Sequence, residues 1–164
     1  MTKDAAPQLI RTATQRVEPG WIDYNGHMNV AYYTMAFDRA LDEVYEALGI
    51  GETAAREARQ GPMALQSQIF YLAELVEGEA FHGLFQLLDA DTKRVHIFCA
   101  LIRERDEARA ATYESLSINV DLAARRASPY PPQAQARIDA MLAGHCTLSR
   151  PEEAGRTIGI RRRG

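Results

Sequence analysis

Four side chains that can donate or accept a hydrogen bond or move a proton alternate through one short segment of the chain. Asp23, Asn25, His27 and Asn29 occupy every second position of the stretch DYNGHMN. A carboxylate or an imidazole can act as a general base, and an amide can orient a water molecule or a carbonyl group. Each of these residue types is also common in turns and helix caps, so a structural role competes with a catalytic one for each residue taken alone.

A sequence typical of an amphipathic helix follows this segment directly. Apolar residues recur there at three- and four-residue spacing, with the acidic residues off the stripe: Tyr33, Ala36, Phe37, Ala40, Leu41, Val44 and Leu48. Asn29 stands at the N-cap position, and Gly49 at the C-terminal end. The free N–H groups and the dipole of a helix start stabilise negative charge, as a developing oxyanion requires. The combined pattern therefore favours a catalytic site.

The remaining sequence predicts a sheet to receive that helix. Residues 11–17 are expected to form a first strand, which ends at Pro19 and Gly20. Beyond the polar connection GETAAREARQGP, four more strands are predicted at MALQSQIFYL, EAFHGLFQLLD, RVHIFCALIRE and RAATYESLSINVD. Their short connections predict antiparallel neighbours in chain order. The stretch YPPQAQARIDAMLAG predicts a C-terminal helix. We therefore expect an α+β fold in one domain, residues 1–164, with a core at about 10–145.

Composition restricts the class of partner. The chain has 164 residues, 46% of them hydrophobic, with a formal net charge of -3. That charge gives no reason to expect nucleic acid, and the basic run at residues 161–163 is expected to be a solvated terminus. No apolar run approaches the ~18 residues of a membrane span, and the first residues lack the apolar centre of a signal peptide. A protein of the cytoplasm is the expectation.

The cysteines and the other histidines predict no metal site. Cys99 and Cys146 are far apart and lack a C-x-x-C partner. His82, His96 and His145 lack carboxylates at metal-ligand spacing, so ordinary structural roles are expected.

The motif DYNGHMNVAYY resembles the signature of hotdog-fold acyl thioesterases, both the 4-hydroxybenzoyl-CoA thioesterase type and the plant acyl-carrier-protein type. In the first type an Asp three residues before a Gly is the nucleophile or general base, and Asp23 and Gly26 match that spacing. In the second type an Asp-x-Asn-x-His series carries the chemistry, and Asp23, Asn25 and His27 match it. His27 directly after Gly26 departs from the first type, so the attacking group stays open between Asp23 itself and a water that Asp23 activates.

The resemblance implies a hotdog fold, with an antiparallel sheet wrapped around one long central helix. It also implies hydrolysis of an acyl-CoA to the free acid and the thiol without a cofactor, by homodimers with sites at the interface, often paired into tetramers. Gly26, Met28 and Asn29 are expected to contact the substrate. The segments LLDADTKRVHIF and NVDLAARR look similar to thioesterases of carnitine breakdown, which implies a betainyl acyl group. The alternative is a non-catalytic hotdog protein that binds acyl-CoA or lipid.

A second carboxylate is a further catalytic candidate. Strict alternation places Glu114 on the same strand face as Leu116, Ile118 and Val120, and this apolar face is predicted to meet the helix. A carboxylate there is costly unless it is paired or functional. A position in solvent at the strand end is the competing interpretation.

Two arginines and three aromatic residues complete the candidate site. Arg125 and Arg126 follow the last predicted strand, where their guanidinium groups suit the phosphates of coenzyme A, with solvated surface arginines as the default interpretation. Tyr32, Tyr33 and Phe70 are candidates for lining an acyl pocket, with core packing as the default.

Overall fold

The computed structural model describes residues 8–160, so the basic run at 161–163 lies outside the described residues. Within that range the α-helices are α1 (Val30–Leu48), α2 (Glu52–Glu57) and α3 (Pro132–His145). The strands are β1 (Ile10–Arg11), β2 (Gln15–Arg16), β3 (Gln60–Tyr71), β4 (Ala80–Ala90), β5 (Arg94–Arg103), β6 (Ala108–Asp121) and β7 (Arg126–Ala127). The predicted C-terminal helix is confirmed, whereas α2 arises where the sequence predicted only a polar connection.

All strand pairings are antiparallel, in the order β1-β4-β5-β6-β3, with β2 beside β4 and β7 beside β6. The predicted chain-order meander is right from β4 to β6 and wrong for β3, which pairs with β6 at the edge. The reason lies in the connection after β3. Leu75 of this connection is fully buried, and its carbonyl accepts a hydrogen bond from the Met28 N–H at 2.7 Å. The chain is thereby held under the segment before α1 and cannot turn back beside β3.

The predicted first strand is divided into β1 and β2. Between them the Thr12 hydroxyl accepts a hydrogen bond from the Gly83 N–H at 2.9 Å, and the Ala13 N–H donates to the Glu43 carboxylate on α1. A carboxylate on the helix thus replaces a ladder partner, and the strand is interrupted there.

Helix α1 covers one face of the sheet, called here the inner face. Every residue of its predicted apolar stripe is buried, and so are the inward residues of β5, namely Val95, Ile97, Cys99 and Leu101. Burial of a side chain of this size contributes about 1.5–3 kcal/mol relative to exposure. Burial also raises the pKa of the Cys99 thiol to about 12. Cys146, by contrast, is exposed.

Gly83 is the point of closest approach between α1 and the sheet. A Cβ added there would lie 2.8 Å from the Thr12 hydroxyl oxygen, 3.1 Å from the Ala40 Cβ and 3.2 Å from the Cys99 sulfur. We expect Gly83→Ala to lower the free energy of unfolding by about 1–3 kcal/mol, because a packed site must expand. Chemical denaturation measures this. Gly159→Ala, where nothing lies within 4 Å, is the control, and equal stability of both variants would contradict the prediction.

None of the helices in residues 8–160 is long and apolar enough to cross a membrane.

Candidate functional site

The segment before α1 is a tight turn, called here the signature loop (residues 23–29). The Asp23 N–H donates to the His27 carbonyl and the Gly26 N–H to the Asp23 carbonyl, both at 3.0 Å. Gly26 has φ of 83°, a left-handed conformation that glycine adopts without strain. Ile22 and Met28 form an isolated β-bridge at its base. These backbone bonds bring the alternating polar residues together at the helix start.

The Asp23 carboxylate is half-buried and only partly paired. One oxygen accepts a hydrogen bond from the Asn25 N–H at 2.8 Å, and the other oxygen has no hydrogen-bond partner among residues 8–160. The paired oxygen fixes the orientation of the carboxylate, while the second remains free to accept a proton or to attack a carbonyl carbon.

Asn29 is the N-cap of α1, as predicted. Its side-chain oxygen accepts a hydrogen bond from the Ala31 N–H at 3.0 Å, and its own N–H donates to the Trp21 carbonyl at 2.9 Å. The N–H of Val30 makes no hydrogen bond within the described residues, and Val30 is 59% exposed. The helix therefore presents a free donor and its positive dipole end beside the signature loop.

Asn25 and His27 are the less constrained members of the loop. Asn25 is exposed, and the half-buried His27 has its Nδ1 3.5 Å from the Met28 carbonyl oxygen, at the limit of a hydrogen bond. The structure thus places Asp23, Asn25 and His27 in one turn, and their chemical roles stay predictions.

The three aromatic residues predicted to line an acyl pocket lie in different parts of the structure. Trp21 stacks on Tyr32 with ring centroids 5.5 Å apart, and its carbonyl accepts the hydrogen bond from the Asn29 N–H. Tyr33 is buried against Tyr71, and burial is the main cause that raises its pKa, so it belongs to the core. Phe70 lies on the outer face of the sheet, under the guanidinium of Arg156.

The prediction that Glu114 faces the helix is wrong. The neighbouring Tyr113 stacks on Phe37 of α1, so Glu114 and the residues alternating with it point to the outer face. Glu114 receives hydrogen bonds from His96 Nε2 at 2.7 Å and Gln68 Nε2 at 2.8 Å. No hydrogen bond or ion pair within the described residues joins it to the signature loop, and its catalytic role stays a prediction.

The pKa of Glu114 reflects those partners. Burial by itself raises the pKa, but the backbone N–H of Gly155 and the side chains of Gln68 and His96 outweigh it, so the pKa is lowered. Glu114 is therefore an anion at neutral pH, held in a network of donors.

Arg125 and Arg126 are exposed at the turn after β6. Tyr71, which packs near the signature loop, pairs with Ala111, whereas Asp121 at the other end of β6 pairs with Gln60. Ten residues of strand span about 33 Å, so the two arginines and the loop lie at opposite ends of one subunit. The substrate-binding role of the arginines stays a prediction.

The other histidines are paired within the fold. His82 Nδ1 lies 3.4 Å from Glu104, and His145 Nδ1 accepts a hydrogen bond from the Leu87 N–H at 2.9 Å. Burial lowers the pKa of His145, which keeps it neutral. Residues 8–160 contain no group of three or more His, Cys, Asp or Glu side chains that fits a metal ion.

The cap of α1 allows a direct test of how the helix start is held. We expect Asn29→Ala to lower the free energy of unfolding by about 1 kcal/mol, because the Ala31 N–H loses its partner. Asn29→Ser is the control, since a serine hydroxyl caps equally well. Thermal or chemical denaturation of the three proteins measures the effect, and unchanged stability of the alanine variant would refute the cap.

Comparison with known proteins places this geometry in a family. Residues 17–138 match the thioesterase-like superfamily. A betainyl-CoA thioesterase of Pseudomonas aeruginosa is 31% identical over 153 residues, which cover 93% of this chain and 96% of that protein. An L-carnitine dehydrogenase/betainyl-CoA thioesterase of Rhizobium meliloti is also 31% identical, and this chain spans 31% of its length.

A solved structure agrees in fold. A hypothetical protein of Staphylococcus aureus, determined in complex with CoA, superposes with a TM-score of 0.88 at 27% identity, covering 98% of this chain and 100% of that one. The hotdog architecture expected from the signature is thereby confirmed. The match over most of the sequence, together with this fold, shows that the chain belongs to the thioesterase-like superfamily.

Proposed function

We propose that this protein hydrolyses an acyl-CoA thioester to the free acid and coenzyme A. The observation that carries the proposal is that one Asp23 carboxylate oxygen and the Val30 N–H, at the two ends of the same short turn, both lack a hydrogen-bond partner within residues 8–160. A base or nucleophile and an oxyanion donor in one site are what acyl transfer from a thioester requires.

In the proposed reaction the thioester carbonyl oxygen accepts a hydrogen bond from the helix start. Asp23 takes a proton from a water molecule, the hydroxide adds to the carbonyl carbon, and the C–S bond breaks. The departing thiolate then recovers a proton. Alternatively Asp23 attacks first and forms an acyl anhydride that water cleaves. Asn25 and His27 are suited to orient the water or the thioester in either route.

We also propose that the protein forms a homodimer through β3. This strand pairs only with β6 among the described elements, and its residues 63–67 are exposed in an unbroken run. Met63 and Leu65 are 49% and 56% exposed, which is unusual for an edge strand that stays free. Pairing of β3 with a second copy covers these residues and joins the two sheets. A tetramer built from two such dimers is compatible with this arrangement.

The same pairing gives Arg125 and Arg126 a place in the site. Two antiparallel β3 strands related by a two-fold axis bring the start of one strand beside the end of the other. The partner subunit's arginines then lie at the end of the sheet where the signature loop is found. We propose that these guanidinium groups bind the phosphates of coenzyme A.

Betainyl-CoA is the first candidate substrate, because two relatives of the chain are named betainyl-CoA thioesterases. The test is a thiol-release assay over betainyl-CoA, straight-chain and aromatic acyl-CoAs, with the freed thiol trapped by a chromogenic disulfide. Turnover of any acyl-CoA above the rate without protein supports a thioesterase. Binding without turnover of the whole panel would instead identify a non-catalytic acyl-CoA-binding protein. We propose that the protein acts on this substrate in the cytoplasm.

A further inference from the structure

The C-terminal arm (residues 151–160) crosses the outer face of the sheet and is firmly attached at its beginning. Glu153 is 5% exposed, and its two carboxylate oxygens accept hydrogen bonds from Arg109 at 3.0 and 3.1 Å. Ala154 packs on an apolar cluster that β5 presents on this face. A bidentate ion pair to a buried carboxylate and an apolar contact fix the direction in which the arm runs.

The arm then reaches the edge of the sheet. The Gly155 N–H donates to Glu114 at 2.8 Å, and the Arg156 guanidinium lies 5.7 Å from the centre of the Phe70 ring. Phe70 belongs to the edge strand β3. The Glu114 network therefore serves to hold the arm over β3, which gives this carboxylate a structural task on the outer face.

Beyond that attachment the arm presents apolar side chains to solvent. Ile158 and Ile160 are 94% and 89% exposed. Ile158 borders a cavity of about 470 Å³ that is also lined by Gln66 and Gln68 of β3, so it lies near the middle of the edge strand. Two isoleucines exposed on a held segment indicate a contact surface for another molecule.

A matching receptor lies on the same outer face at the start of β3. Met63, Val120, Leu122 and Arg125 line a cleft of about 310 Å³. Met63 is 49% exposed and pairs with Ile118, which shares the outer face of β6 with Glu114. The cleft is apolar apart from its one arginine, which suits an aliphatic side chain.

The two surfaces meet when β3 pairs with a second copy. The exposed run at residues 63–67 is centred on Leu65. The β-bulge at Leu65 puts Met63 and Gln66 on the same outer face. A two-fold axis at this bulge therefore places Gln66 and Gln68 of one strand opposite Met63 and Gly61 of the other. The end of each arm then lies beside the partner subunit's Met63 cleft rather than its own.

Resting on the homodimer proposed above, we propose that the C-terminal arm of each subunit crosses the two-fold seam and inserts Ile158 and Ile160 into the cleft of the second copy. Each arm thereby clasps the other subunit, and the dimer contains two identical clasps. The occupant of the cleft is a segment of this same chain.

Cross-linking between two chains of different mass tests whether each arm reaches the other subunit. Ile158→Cys and a mass-tagged Met63→Cys chain, both carrying Cys146→Ser, are refolded together and treated with a short bismaleimide. We expect a covalent product of one chain of each kind, approaching about half of all dimers because random pairing makes half of them mixed. Tagged Leu72→Cys is the control, since Leu72 is 46% exposed but lies just beyond the other end of β3.

Two results would contradict the clasp between subunits. In a second experiment one chain carries both Ile158→Cys and Met63→Cys, and cross-linking that occurs only within this chain would place the arm on its own subunit. No cross-link in either experiment would show that the arm does not reach the cleft.

The affinity of the dimer gives an independent measure. We expect Ile158→Asp and Ile160→Asp each to raise the dimer dissociation constant at least about tenfold, since each removes two symmetry-related apolar contacts. Gly159→Asp adds the same charge without removing an apolar side chain and is expected to leave the constant nearly unchanged. Equal constants for all three variants would refute the clasp. Sedimentation and thiol release are measured on the same samples. A protein that forms the dimer with clasped arms but shows no turnover would contradict the proposed activity and leave the clasp supported.

Discussion

Asp23→Asn is expected to fold normally and to lose at least about 100-fold in kcat, with KM changed by less than about threefold. The amide oxygen still accepts the hydrogen bond from the Asn25 N–H, so the turn is preserved, but the free carboxylate oxygen that takes the proton or attacks the carbonyl is gone. Steady-state thiol release measures both constants, and the melting temperature reports the fold.

Asp38→Asn is the matched control, because it makes the same change in charge at an exposed position of α1. Its kinetics should equal those of the unmodified protein. Near-normal turnover by Asp23→Asn would remove Asp23 from the chemical step and transfer the role of base to His27, which His27→Gln then tests.

A charge introduced at Leu65 is expected to prevent the dimer from forming, and a mixture of the two opposite charges is expected to restore it. Leu65→Lys and Leu65→Asp should each be monomeric and lose at least about tenfold in activity, because like charges meet at the two-fold axis and the site loses the partner subunit's arginines. Mixing the two variants should restore both the dimer and the activity, since unlike charges then meet. Analytical ultracentrifugation with thiol release follows both properties.

Leu9→Lys is the control for adding a charge at a comparably exposed leucine, as Leu9 is 41% exposed and lies just before β1, outside β3. Full activity in monomeric Leu65→Lys would show that one subunit holds a complete site. A mixture that stays monomeric would move the axis away from Leu65.

Helix α1 could be predicted with its caps because its determinants are local. The apolar stripe, Asn29 and Gly49 all act within a few residues, and the structure shows each in the expected place. The position of β3 depends on where Leu75 is buried, a contact with Met28 between segments that are far apart in sequence. Strand periodicity contains no information about such a pairing.

The face of Glu114 was missed for a related reason. Alternation correctly groups Glu114 with Leu116 and Ile118, but it does not say which face meets the helix. The inner face carries Ser115 and Ser117, whose hydroxyls lie at hydrogen-bonding distance from the Gln66 carbonyl and the Tyr45 hydroxyl. When polar side chains form hydrogen bonds in the interior, the more polar face of a strand can be the buried one.

Because one cysteine is buried and the other is exposed, the reactivity of the buried thiol can be used to measure how often the core opens. A thiol reacts with a disulfide reagent as the thiolate, and burial holds the pKa of the Cys99 thiol near 12 while Cys146 is exposed. A reagent that titrates thiols should therefore label Cys146 at once and Cys99 only when α1 separates from β5. The rate of the slow phase measures how often the core opens, and the fast phase sets a background of one thiol per chain in any assay that counts released coenzyme A.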